Sequence, residues 1–217
     1  KADACVANSK YISKKYNQHF DLKFQSINPP SFKKLFPFKK NKKKQICFGV
    51  VSRLSKEKKI DTLISILPEL QGKPMLKIVG DGPEKEKLKQ LVEDLNLKKR
   101  VKFLGSYNPN KIKNVFKNFS YFINTSDFEG FPNSVVEALS SGVPVVASQS
   151  FGGINDIINN KNFGIIYNKK KDLKIILNKI ISKKINFRLN KDKVYNHLNN
   201  FSEKKNKEDY KKLLLNV

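Results

Sequence analysis

QICFGVVSRLSKEKKIDTLISILPELQGKPMLKIVGDGPEKEKLKQLVEDL, residues 45–95, decides the fold. An apolar run of strand length, QICFGVV, precedes a stretch of helical period, IDTLISILPEL, and the pair repeats as MLKIVG and EKEKLKQLVEDL. Further along come VKFLG with NKIKNVFKNF, SYFINTS with SVVEALSS, VPVVAS with INDIINN, and GIIY with DLKIILNKIISKK. Six strands, nearly continuous in apolar residues and each followed by a helix, predict a parallel sheet covered on both faces. The expected architecture is a Rossmann-like, doubly wound α/β domain over residues 45–184. In such sheets ligands sit at the carboxyl ends of the strands, where helix N-termini point outward, so each strand-to-helix junction is a place to look.

Outward from this block the pattern weakens. Residues 185–217, with NFRLNKDKVYNHLNNF and SEKKNKEDYKKLLLN, read as two closing helices. Pro29, Pro30, Pro37 and the lysine-rich run 39–44 make residues 29–44 a linker and a candidate domain boundary. Residues 1–28 read as a helix carrying Tyr11, Tyr16 and Phe20, followed by a short alternating strand, FDLKFQSI. No tandem repeat is present.

The composition excludes several chemistries. Cys5 and Cys47 have no CxxC or Cys/His spacing, so neither a disulfide framework nor a zinc site is expected, and a reducing, cytoplasmic compartment fits. His19 and His197 are the two histidines, and no HExxH motif exists. No run approaches the roughly 18 apolar residues of a membrane span, and the start at Lys1 fits a piece of a longer chain. The net charge of +25 comes from 44 Lys and Arg against 19 Asp and Glu, yet only Arg53, Arg100 and Arg188 are arginines. Nucleic-acid recognition recruits arginine forks, so a compositional lysine bias is the plainer reading and nucleic acid is not an expected partner. Peripheral contact with an anionic membrane face remains an expectation of the charge.

Four junctions carry candidate chemistry. In VVSRLSKEKKIDTLI, Arg53 and Lys58 lie just past the first strand, where a planar fork and a mobile ammonium would suit a diphosphate; a solvated helix start is the alternative for Lys58. In VGDGPEKEKLKQL, Gly80 and Gly82 begin a dinucleotide fingerprint, but Lys85 stands where its third glycine belongs, which disfavours an oxidoreductase. A tight turn opening a helix, with Glu84 and Glu86 in its first turn, fits better. FLGSYNPNKI offers backbone at Ser106 and Tyr107 for a flat ring, with Asn108 or Asn110 as helix cap. The fourth, FEGFPNSVVEALSSGVPVVAS, places Glu129 and Glu137 eight positions apart around a helix start near Asn133 or Ser134. A helix pole between two carboxylates would hold a phosphate in the middle and sugar hydroxyls on either side. Ser134 to Glu137 also spells a capping box, which leaves a purely structural role open for Glu137.

These motifs together resemble the C-terminal half of a GT-B retaining glycosyltransferase of family 4, also called glycosyl transferases group 1. SRLSKEKKIDTLI is similar to that family's GRL...EKG...LI segment, VGDGPEKEKL to its G-DGP turn, RVKFLGSY to its RV-FLG strand, and EGFPNSVVEALSSGVPVVAS to its E-x7-E motif. FGGINDIINNKNFGIIY resembles its GG-E-I...G-LV segment. INPPSFKKLFPF resembles its interdomain linker, and ADACVANSKYISKKY the last helix of its N-terminal domain. The likeness implies a nucleotide diphosphate sugar as donor, no cofactor and no metal. It implies that Arg53 and Lys58 bind the diphosphate and stabilise its departure, and that Glu129 holds the transferred sugar. The backbone of Gly130, Phe131, Pro132, Asn133 and Ser134 would line sugar and phosphate, Glu137 the ribose, and the backbone near Tyr107 the base. A glycan or lipid-linked acceptor would be bound by an N-terminal domain preceding Lys1. Ser52 and Lys59 stand where the family usually has glycine, and Asn155-Asp156 replaces Pro-Glu. The competing reading is a non-catalytic basic module for anionic membrane or nucleic acid.

Overall fold

The central strands bury both faces, and the alternation of their side chains shows why. A computed structural model describes residues 4–38, 45–108, 112–187 and 189–215. In β3 (Cys47–Val51) every residue is buried. Cys47 and Val51 enter one core with Phe116, Leu139 and Val194, while Phe48 and Val50 enter a second with Leu63, Leu88 and Leu177. A strand with two buried faces has no polar alternation left to display, hence the continuous apolar runs.

The main sheet contains β3, β4 (Met75–Val79), β5 (Val101–Phe103), β6 (Tyr121–Asn124), β8 (Val145–Ser148) and β10 (Gly164–Tyr167). Their order is β10-β8-β6-β3-β4-β5, and every pair is parallel. Phe48 aligns with Leu76 on one side and Tyr121 on the other. Helices α2 (Ile60–Ile66), α3 (Lys85–Asp94) and α7 (Lys170–Ile181) bury Leu63, Leu88 and Leu173 over one face. Helices α4 (Ile112–Phe116), α5 (Asn133–Ser140), α6 (Ile154–Ile157) and α8 (Lys191–Leu198) cover the other. The expected doubly wound sheet is therefore present. Strand order reverses between β3 and β6, and such a switch point opens a crevice at the carboxyl ends of the two strands.

Close backbone approach shapes that crevice. A Cβ on Gly80 would lie 1.8 Å from the Ser52 carbonyl oxygen, and one on Gly82 would lie 2.4 Å from that of Leu54. The two loops are stitched by Leu54 N to Asp81 O (2.9 Å) and Glu84 N to Leu54 O (2.9 Å). The glycines thus serve the contact with the Arg53 loop, beyond the local turn expected of them. A ribbon unforeseen in the sequence, β7 (Phe128–Glu129) with β9 (Phe151–Gly152), continues from the sheet ends. Gly152, at φ 139°, has no room for a Cβ beside the Glu129 carbonyl.

At the N-terminal end, β1 (Cys5–Ala7) and β2 (Phe24–Ser26) form a parallel pair across α1 (Lys10–His19). Strand β1 is another element that the residue pattern does not announce, because three residues are too few to show a period. Asp156 on α6 ties this unit down, accepting from Lys10 N (2.9 Å) and Asn28 Nδ2 (3.3 Å). Residues 29–38 run across the domain: Phe32 is buried and its N–H donates to Phe201 O, and Phe36 N donates to Ser140 O. The lysine-rich run 39–44 lies outside the described residues. The expected closing helices are α8 and α9 (Glu203–Leu215). Between them Phe201 packs edge-on against Phe131 at 5.2 Å between ring centres.

Candidate functional site

Two loops meet at the switch point. The first leaves β3 and turns through a short 3-10 segment, Lys56–Lys58, into α2. The second runs from β6 through Thr125, Ser126 and Asp127 into β7. Thr125 Oγ1 donates to Lys58 O (2.6 Å), and Asp127 N donates to Glu57 O (2.9 Å). Lys58 Nζ lies 3.0 Å from Glu129 Oε1, with the two side chains 16% and 14% exposed. So far into the protein an ammonium and a carboxylate hold one another in place.

Glu129 is held from within. Its Oε1 accepts from Ser126 Oγ (2.7 Å), Asn124 Nδ2 (3.3 Å) and Lys58, while among the described residues Oε2 takes no hydrogen bond. Both donors other than lysine are buried, and Ser148 Oγ fixes the Ser126 carbonyl at 2.5 Å. The carboxylate is thus engaged on one edge and open on the other.

Arg53 is exposed and, among the described residues, makes no ion pair. Its charge is nonetheless felt locally. The Ser55 hydroxyl and its own backbone N–H, then the Lys58 and Arg53 charges, hold the Glu57 carboxyl below its ordinary value. The charges of Arg53 and Lys58 thus both reach Glu57.

Past the ribbon, α5 begins at Asn133, as the sequence predicts. Pro132 occupies the cap position and supplies no side-chain hydrogen bond. The capping box expected as one reading of Ser134 and Glu137 is absent. Glu137 instead points to Tyr107, whose hydroxyl donates to its Oε2 at 3.4 Å. Burial raises the Glu137 carboxyl above its ordinary value, against the opposing pull of Tyr107 and the Lys33 charge. Burial, then the Glu137 charge and hydrogen bond, pushes the Tyr107 phenol up to about 12. The Phe131 ring turns onto Phe201. Gly130 sits where a Cβ would meet Asn8 Nδ2 at 2.7 Å, and Asn133 Oδ1 accepts from Ser31 Oγ at 2.5 Å.

The geometry brings Lys58 to Glu129 and Tyr107 to Glu137, and in the chain α5 begins between the two glutamates. Sequence reasoning missed Asn124, Thr125 and Ser126, which fasten the two loops. Their signal was three polar residues directly after the apolar YFI of β6. Asn110, a candidate cap, lies outside the described residues. Among the described residues no group of three or more His, Cys, Asp or Glu side chains could hold a metal ion.

A family profile described as "Glycosyl transferases group 1" matches residues 31–208. The chain belongs to this family. Among curated relatives, the group 1 domain is 38% identical over 125 residues to a human phosphatidylinositol N-acetylglucosaminyltransferase subunit, covering 56% of this chain and 25% of that protein. It is 30% identical over 166 residues to the lipopolysaccharide 1,6-galactosyltransferase of Salmonella typhimurium, covering 74% and 46%. Among solved structures, the apo lipopolysaccharide outer core galactosyltransferase WaaB aligns with a TM-score of 0.85 at 24% identity, over 99% of this chain and 62% of that one. Anabaena HepE in complex with UDP aligns at 0.82 and 21%, over 100% and 64%. The chain spans a quarter to a half of the length of these two curated relatives. The similar structures share the GT-B type of fold, and the reading of the group 1 chain as a basic binding module finds no support among these proteins.

Proposed function

We propose that this group 1 chain is the donor-binding half of a family 4 glycosyltransferase that moves a hexosyl group, with retention, from a nucleotide diphosphate sugar to a glycan or lipid-linked acceptor. The observation that carries the reading is the Lys58–Glu129 pair at the switch point, with Glu129 in the short strand that precedes α5 and Glu137 within that helix. HepE, a likeness in fold, has been solved with UDP-glucose as well as UDP.

In this reading Arg53, Lys58 and the N–H groups of Asn133 and Ser134 face the diphosphate. As the bond from the anomeric carbon to the diphosphate oxygen breaks, negative charge grows on that oxygen. In this reading a guanidinium, an ammonium and a helix pole together meet that charge, the part a metal or cofactor would otherwise play. Lys58 has three donors and spends one on Glu129. The open edge of Glu129 accepts from hydroxyls of the transferred sugar. Glu137 accepts from the ribose, and backbone at Tyr107 receives the base. The acceptor is bound by a domain preceding this one in the full protein, which works in the cytoplasm, with peripheral contact to an anionic membrane where the acceptor is a lipid.

Calorimetric titration with UDP, GDP, UDP-glucose, UDP-galactose, UDP-N-acetylglucosamine and GDP-mannose tests the reading. One nucleotide series should bind at micromolar to millimolar affinity and its sugar form more tightly. Failure of the whole panel to bind would refute the proposal.

A further inference from the structure

We infer that Ser126, seconded by Asn124, is the positioning residue that turns Glu129 so that a single oxygen, Oε2, meets the sugar. The inference rests on the proposal that Glu129 receives the transferred sugar, and it concerns residues outside the group that touches the donor.

A carboxylate on a two-carbon stem rotates freely unless several donors fix it. Around Glu129 three donors converge on one atom. Ser126 Oγ at 2.7 Å, Lys58 Nζ at 3.0 Å and Asn124 Nδ2 at 3.3 Å all meet Oε1. Such crowding on one oxygen, with none on the other among the described residues, defines the plane and the outward edge of the group. The Ser126 bond is the shortest of the three and the least free to move, because Ser126 is 2% exposed and its backbone is locked on both sides. Its N–H donates to Asn124 Oδ1 at 3.2 Å, and its carbonyl accepts from Ser148 Oγ. Lys58, by contrast, has a long flexible stem and a proposed second duty toward phosphate. When a diphosphate draws the ammonium, Ser126 and Asn124 are what keep Oε1 in place. Hydroxyl recognition depends on direction as well as charge, so a carboxylate free to turn loses discrimination for the sugar before it loses the nucleotide.

The test compares wild type, Ser126→Ala, Ser126→Thr, Asn124→Ala and Glu129→Gln by calorimetry on the 217-residue chain. The quantity read is the dissociation constant of the nucleoside diphosphate divided by that of its sugar form. It is taken for whichever of the pairs UDP with UDP-glucose, UDP-galactose or UDP-N-acetylglucosamine, or GDP with GDP-mannose, wild type discriminates most. A general loss of stability lowers both affinities and cancels in this ratio. Ser126→Ala should lower it roughly tenfold, toward the value in Glu129→Gln. Asn124→Ala should lower it less, and Ser126→Thr, which keeps the hydroxyl, should restore it. If Glu129→Gln abolishes the preference while Ser126→Ala keeps the wild-type ratio, the positioning role is overturned and the proposed function stands. A wild type that favours no sugar nucleotide over its diphosphate overturns both.

Discussion

Replacing Lys58 with methionine removes the ammonium and keeps most of the stem, so it isolates the charge that the structure sets against Glu129. At 3.0 Å and an effective dielectric constant of about 20, the attraction is roughly 5 kcal/mol before desolvation. Desolvation of two side chains that are 16% and 14% exposed offsets much of this. Exposed pairs are worth about 0–1 kcal/mol, whereas breaking a fully buried pair costs about 3–5 kcal/mol. Glu129 retains Ser126 and Asn124 as donors in the variant, which places the expected loss near 2 kcal/mol. For a chain of this size that is a fall in Tm of about 4–8 °C, read by thermal denaturation under circular dichroism. Glu129→Gln alone should cost a similar amount by stranding the ammonium. The double variant Lys58→Met/Glu129→Gln should then be more stable than the sum of the two losses by about 1 kcal/mol or more. Losses additive to within about 0.3 kcal/mol would show that the two charges do not support one another, and the pair would no longer anchor the two loops.

Three further outcomes follow from the same structure. Glu137→Gln keeps an acceptor for the Tyr107 hydroxyl and breaks no cap, so its Tm should stay close to wild type while nucleotide affinity falls roughly tenfold; a large loss of stability would restore the purely structural role. Gly80→Ala puts a Cβ 1.8 Å from a backbone oxygen at φ 134° and should cost about 3 kcal/mol, whereas Gly105→Ala, at φ 69° with nothing within 4 Å, should cost about 1–2 kcal/mol; equal losses in urea denaturation would contradict the close approach. His197, stacked on Phe163 and donating Nε2–H to Ile157 O, is held below its ordinary value of 6.5 by burial, partly countered by that hydrogen bond. As pH falls through about 6.5 the unfolded chain takes up a proton that the folded chain refuses, so its contribution is whole above that value and lost below it. His197→Gln should flatten this part of the stability profile between pH 7.5 and 5, and an unchanged slope would contradict the assignment.

The sheet was legible because its strands are buried on both faces and its helices on one, so period and length separate the two. The β7–β9 ribbon was not, since a two-residue strand such as Phe128–Glu129 has no period to read. The junctions could be located from sequence, which is how Arg53, Lys58, Glu129 and Glu137 were singled out. Their contacts could not. That Lys58 spends a donor on Glu129 depends on loops 67 residues apart being fastened by Thr125, and SYFINTS alone gives its polar tail no direction. Ser134 to Glu137 shows the converse: of the two roles that its four-residue pattern left open for Glu137, the capping box is not formed, because Pro132 takes the cap position. Gly80 and Gly82 read as a local turn because the carbonyls they accommodate, at Ser52 and Leu54, belong to another segment.

The proposed chemistry depends above all on the crevice between β3 and β6 gripping two linked phosphoryl groups through Arg53. Titrating a nucleoside, its monophosphate and its diphosphate into wild type and Arg53→Ala tests this grip most directly, at about 0.3 M salt so that the +25 background is screened. The diphosphate should lose about tenfold to a hundredfold in affinity in the variant while the nucleoside is unaffected. Equal losses for all three ligands, or none, would contradict it.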